Sequence, residues 1–187
     1  MGCTNYNCDD LGTHIAGANC GRPTQGGAQD WVILDCDATT TDASNAAQIN
    51  VDIAAGRAVV VTGVQSGFAK PSPITLESIS SCGGTITVNN DWTGTIKDGS
   101  INNQTIDFWN RFIRGRSAGS IIMRECHDDG DDEYVTWVNP PAGITFQGGR
   151  VLPDKNNQAQ IIDLEFKWRE LASPLRWTAP VGVTGWS

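Results

Sequence analysis

Near the end of the chain, Ile162, Leu164, Phe166 and Trp168 alternate with Asp163, Glu165, Lys167 and Arg169. Eight residues of strict alternation make a strand with one apolar and one polar face. A slip of one residue would turn every charge inward, so the register is firmly specified. A chain that contains this strand must also supply neighbours to pair with it and an apolar layer to cover its inner face.

Other segments supply the neighbours. Trp31-Val32-Ile33-Leu34 begins a strand, and residues 37–46 are polar enough for a loop. Gln48 to Ala54 alternates as well, with Ile49, Val51 and Ile53 opposite Asn50 and Asp52. That pattern predicts a half-buried strand. With Ala55-Gly56 as a turn and Arg57 to Thr62 as a second strand, it predicts a hairpin. Residues 63–73 hold two Gly and two Pro and read as a loop. Further strands are expected at 74–80, 84–89, 119–124 and 133–138. A loop follows over 140–157, with an extended piece around 144–152.

Residues 102–115 break the pattern. Ile106, Trp109, Phe112 and Ile113 form one stripe at helical spacing. Asn102 or Asn103 can cap the start and Gly115 can end the helix. Asp107 in the first turn and Arg111 and Arg114 in the last suit the helix dipole. The expected fold is mainly β: an antiparallel β-sandwich or barrel with one inserted α-helix at about 103–115. An irregular arm rich in Cys and Gly (1–30) precedes the sandwich (31–172), and a docking tail (173–187) follows it. The tail, with two Pro, two Gly and two Trp, is too apolar to stay free.

The chain of 187 residues carries 13 basic and 21 acidic side chains, a net charge of −8. That balance argues against a protein that grips nucleic acid through its phosphates. No stretch approaches the roughly 20 apolar residues needed to span a bilayer. No secretory signal follows Met1, and Tyr6 breaks the myristoylation pattern, so synthesis and assembly in a cytoplasm are expected.

Motifs for catalysis are missing. The chain has no Gly-x-Ser-x-Gly, no phosphate loop and no dinucleotide fingerprint. An enzyme is not expected, nor a cofactor. Cys3, Cys8 and Cys20 with His14 could supply a Cys₃His set for zinc, but no Cys-x-x-Cys pair is present. Disulfides and free thiols are the other readings of this arm. Cys82 and Cys126 flank predicted strands and read as small core residues. His127 precedes an acidic run, Asp128 to Glu133. Read as a calcium loop, the run would put Thr136 where a bidentate Glu is required, so a solvated turn is the better reading. Asn103-Gln104-Thr105 matches a glycosylation sequon and is read as accidental.

The order of these elements resembles the tail tube (major tail) proteins of long-tailed bacteriophages. The helix Gln104 to Arg114 and the strand Gln158 to Trp168 carry the resemblance, over roughly residues 30–172. The Cys-rich opening before Gly26-Gly27-Ala28 is also similar to structural proteins of phages infecting Bacteroidetes. The resemblance implies a virion protein of the tail that forms stacked hexameric rings. Inner strands would join into a barrel around a lumen through which DNA passes, without lasting contact, during ejection. The partners implied are other copies of the chain and other tail or head proteins, with no membrane, no catalytic residue and no cofactor. Asp52, Asp163 and Glu165, on polar strand faces, are then candidates for the lumen, where acidic groups would repel phosphate. Trp177 and Trp186 are candidate contacts between subunits. The arm 1–30 and the loop at 62–74 would reach neighbouring subunits.

Two other readings compete. A capsid decoration protein, a head–tail connector or a tail terminator would share much of this pattern. A carbohydrate- or ligand-binding β-sandwich module draws support from the seven tryptophans.

Overall fold

The computed structural model describes residues 30–68, 72–77, 85–124, 134–151 and 160–186. The arm with Cys3, Cys8, His14 and Cys20 lies outside the described residues, as do Cys82, Cys126, His127 and the acidic run after it. In chain order the elements are β1 (Trp31–Leu34), α1 (Ala46–Ala54), β2 (Ala58–Val61), β3 (Gln65–Phe68), β4 (Ser72–Glu77) and β5 (Thr85–Asp98). Then come α2 (Asn103–Ile113), β6 (Ser120–Arg124), β7 (Tyr134–Val138), β8 (Thr145–Val151), β9 (Ile161–Arg169) and β10 (Leu175–Thr178).

The strands form two antiparallel sheets. The first has the order β10-β7-β6-β1-β2. The second has the order β3-β5-β9-β8, with β4 also paired to β5. Neither closes into a barrel, so the fold is an open β-sandwich with helices added.

The alternating strand behaves as its pattern requires. Ile162, Leu164, Phe166 and Trp168 are buried, while Lys167 and Arg169 are exposed and Asp163 and Glu165 half-exposed. Phe166 meets Trp31 of the opposite sheet edge-on, with ring centroids 5.0 Å apart. Directly across β5 stands Gly94, where a Cβ would lie 2.0 Å from the Phe166 ring. The absent side chain is the space that the ring fills. Trp168 stacks on Trp92 at 5.6 Å and on Phe166 at the same distance, so three aromatic rings run in one line.

Helix α2 packs its aromatic face on this core. Phe108, Trp109 and Phe112 are buried, and Phe146 of β8 lies 5.0 Å from Phe112. Ile106 and Ile113 of the expected stripe pack at its margin. Asn102 caps the start through the Thr105 amide at 2.9 Å, and Gly115 follows the helix at φ +111. Asp98, buried at the end of β5, accepts a hydrogen bond from the Trp109 indole at 2.8 Å and ties helix to sheet.

The segment Gln48 to Ala54 departs from expectation, because it lies in helix α1 and not in a strand. Both periods fit the residues: Ile49 and Ile53 satisfy a two-residue repeat, and Ile49, Asp52 and Ile53 satisfy a helical one. Caps and propensity decide between them. Asn45 accepts from the amides of Ala47 and Gln48, and Ala46, Ala47 and Ala54 favour helix. Val51, which a strand would bury, is 56% exposed. The expected hairpin is therefore absent, and β2 pairs with β1 instead.

Two other boundaries move. Residues 63–73 are not all loop, since β3 occupies Gln65–Phe68 and β4 begins at Ser72. Strand β5 runs on through Asn89-Asn90-Asp91, residues depleted in strands. It continues because Trp92, Gly94 and Ile96 point inward against β9 in matching register.

The outer face of the first sheet is covered too. Val32, Leu34, Ala58, Ile122 and Val135 form a second apolar cluster with Ile49 of α1 and with Ala179 and Val183 of the late segment. The tail thus docks on its own sandwich, with β10 as an edge strand.

Replacing Phe166 or Trp168 with Ala should cost about 3–5 kcal/mol. Gly94→Ala should cost about 1–3 kcal/mol by overpacking the Phe166 ring. Guanidinium unfolding measures all three, and midpoints equal to wild type would overturn this account of the core.

Candidate functional site

With both faces of the first sheet covered, the outward face of the second sheet is the broad polar surface of the sandwich. Its side chains come from alternate positions on three strands. Strand β9 presents Asp163, Glu165, Lys167 and Arg169. Strand β5 presents Asp91, Thr93, Thr95 and Lys97, and β8 adds Thr145, Gln147 and Gly149. Register sets each acid beside a base or an amide. Arg169 opposes Asp91 and donates from Nε at 2.8 Å. Asp163 opposes Lys97. Glu165 lies between Thr95 and Gln147, accepts from the Gln147 amide, and has the Lys167 ammonium 3.4 Å away. On these positions of β5, β9 and β8 three acids meet three bases, and their formal charges cancel. These pairs are half-exposed or exposed, so each contributes little to stability. Their effect is to leave no surplus of either sign.

Asp163 and Glu165 thus stand on the polar face where the alternation puts them. Asp52 does not join them: it is fully buried on α1. Its carboxylate accepts from the amides and hydroxyls of Thr39 and Thr40 at 2.7–3.0 Å and from Arg57 Nε at 2.8 Å. Burial acts to raise its pKa. The hydrogen bonds from Thr39, Thr40 and Arg57 outweigh burial and hold it below the usual carboxylate range. Asp52 is a clasp for the loop ahead of α1, and its placement on an exposed strand face is corrected.

Trp177 and Trp186 are half-buried against their own chain. Trp177 meets Trp137 edge-on at 5.8 Å, and Arg124 lies 5.9 Å over the Trp186 ring. Trp137 carries no local sequence signal as a contact, because its partner is distant in sequence and adjacent only through the β7–β10 pairing.

Three further buried acids do structural work. Asp30 faces Arg124 at 3.5 Å, Asp35 holds the buried Arg116 at 3.0 Å, and Asp98 holds Trp109. Asp30 and Asp35 bracket the apolar run Trp31 to Leu34, a signal visible in the sequence. Burial pushes the Glu170 carboxyl up, against the lowering effect of a hydrogen bond from Trp168. Among the described residues no group of three or more His, Cys, Asp or Glu side chains could hold a metal. No helix among them is long and apolar enough to cross a membrane.

The depressed Asp52 pKa fixes the sign of its pH effect. Its contribution is complete above the unfolded value of about 4 and is lost as the pH falls through the lower folded value. Asp52→Asn should cost about 1–3 kcal/mol at pH 7. The gap from wild type should shrink on acidification below about pH 4, read from urea midpoints. A gap independent of pH would contradict this role.

No protein-family model matches the chain, and no curated protein does.

Proposed function

We propose that the chain is a structural subunit of a virus particle, a tail tube protein that assembles with copies of itself into stacked rings, expected to be hexameric. The observation that carries this reading is the second sheet: a polar face, uncovered among the described residues and balanced in charge across β5, β9 and β8, between two edges that no described strand extends. A conduit for DNA must not retain a polyanion. A face whose six charges cancel has no patch of positive potential to hold phosphate. This differs from an acidic lumen and serves the same end.

The edges favour assembly. Strand β8 has a neighbour on one side only among the described residues, and so do β3 and β4. Unpaired edges of this kind are templates for pairing with another chain. Copies side by side in a ring would satisfy them and carry the sheet around a lumen. Strand β4 and residues 85–90 of β5 strengthen the case. The β9 pairing stops at Asp91, so the two form a ribbon that runs past the body of the sheet. A two-stranded ribbon is marginal in water by itself. A neighbouring subunit would give it support.

The carbohydrate-binding reading loses its main feature, because none of the seven tryptophans is exposed. A decoration protein, a connector or a terminator would use the same open edges, so oligomeric form decides. Electron microscopy of the concentrated protein, with light scattering on the same sample, is the test. Stacked rings or hollow filaments with a pore about as wide as duplex DNA are expected. A uniform monomer or trimer at every concentration would overturn the tube reading in favour of a decoration protein.

A further inference from the structure

The late segment, residues 175–186, is a strap across the outer face of the first sheet. It leaves β9 in one sheet and joins β7 in the other, so Glu170 to Pro174 form a short bridge between sheets. The strap is held at three places. Strand β10 pairs with β7 through four residues. The Asn50 side chain donates to the Gly182 carbonyl at 2.9 Å and accepts from the Thr184 amide at 2.8 Å, as a neighbouring strand would. Val183 and Ala179 are buried in the outer cluster, and Gly185 lies against Val60.

Two independent features mark this layer as incompletely satisfied. The first is polar. The indole nitrogens of Trp137, Trp177 and Trp186 are buried with no hydrogen-bond partner among the described residues. Buried indole N–H groups usually find an acceptor, and each one left without costs stability. Two of these three are on the strap and the third is beneath it. The second feature is apolar. The large hydrophobic side chains exposed among the described residues are Val51, Val151, Leu171, Leu175 and Val181. Leu171 is on the bridge, Leu175 and Val181 are on the strap, and Val51 adjoins the Asn50 that clamps it. Three of the five thus fall on the bridge and strap, and exposed apolar groups concentrated on one segment mark it for contact.

We infer that the strap is exchangeable, and that the partner is a second copy of this chain whose own strap takes the same place. The outer face of the first sheet and the β7 edge that β10 occupies are complementary to this one sequence. An identical segment from a neighbour therefore regains every contact, which makes exchange a low-cost route to association. Leaving is simple, since β10 is an edge strand and its departure breaks no pairing in the second sheet. In the exchanged state the bridge extends towards the neighbour, and Leu171 and Leu175 are carried into the new contact. The inference needs a second copy but no particular assembly.

A disulfide across strap and sheet tests it. A Cβ built on Gly185 lies 3.6 Å from the Val60 Cβ, within the span a disulfide bridges. Full-length Val60→Cys/Gly185→Cys chains, isotopically heavy and light in equal amounts, are mixed as monomers, concentrated and oxidised. Mass spectrometry then reads the 60–185 cross-linked peptide. In exchanged oligomers about half of these peptides should join a heavy to a light chain. Dilute monomer should give only unmixed peptides. Rings with unmixed peptides alone would overturn exchange and leave the tube reading standing. Mixed peptides in dimers without rings would do the reverse. Absence of the cross-link in the monomer would show that the strap is not seated as described, and the inference would fall. Because Gly185 has φ +90, where Cys is strained, the unmodified protein provides a second test. Deuterium uptake at Leu175–Thr178 should run well ahead of uptake at Leu164–Trp168, and equal protection would also overturn exchange.

Discussion

Four residues, Trp31 to Leu34, are buried on both sides, and the molecule is layered around them. Trp31 and Ile33 belong to the core between the sheets, Val32 and Leu34 to the outer cluster. A strand buried on both faces has only its ends near water. Here Asp30 and Asp35 close those ends, reaching Arg124 at the end of the neighbouring β6 and Arg116 ahead of its start. The aspartates also accept backbone amides, Gly63 for one and Cys36 for the other. A slip of β1 by one residue would pull a carboxylate into the apolar interior and leave an arginine without its partner. The register of the first sheet is thereby held electrostatically, whereas that of the second is held by alternation.

This difference explains which parts of the fold are legible in the sequence. Strand β9 and helix α2 each have one wet face, so their periods appear in the residue pattern. Strands β6 and β7 follow from short apolar runs between turns, whereas β8, with two glycines, is legible only as an extended piece within a loop. Strand β5 defeats the pattern because its core positions include Gly94, whose role is to make room for Phe166. Helix α1 defeats it because Ile49 and Ile53 suit two periods, and the Asn45 cap decides. Of the candidate site residues, Asp163 and Glu165 are legible from alternation alone. Asp52 is not, because its true partners are Thr39 and Thr40, in a loop that periodicity does not describe. The tryptophans of the strap are legible as contact-makers, but the sequence does not say against which surface.

Net charge proves a poor guide to surface charge. Asp30, Asp35, Asp52 and Asp98 are all buried and occupied with arginines, hydroxyls, amides or an indole. They enter the total of −8 without colouring the broad polar face, which is balanced. The acidity of the chain belongs in part to the way its loops are fastened. The overall sign therefore does not set the character of this surface, and the strand register does.

Strand β5 has a mechanical consequence. Its fourteen residues form one unbroken element shared by the ribbon and the body of the sandwich. At about 3.3 Å per residue it spans roughly 45 Å, with one irregularity in the ribbon where the register against β4 shifts at Ile74/Thr75 and none in its pairing with β9. A pull on the ribbon end along the strand reaches β9 as shear across eight opposed residue pairs loaded together. Hydrogen bonds strained in parallel resist far better than bonds opened one after another. The stacked rings Trp92 and Trp168 sit at the first of those pairs beyond the ribbon junction, where the load arrives. The ribbon is thus coupled stiffly to the most aromatic part of the core, and tension applied there is borne by the whole sheet.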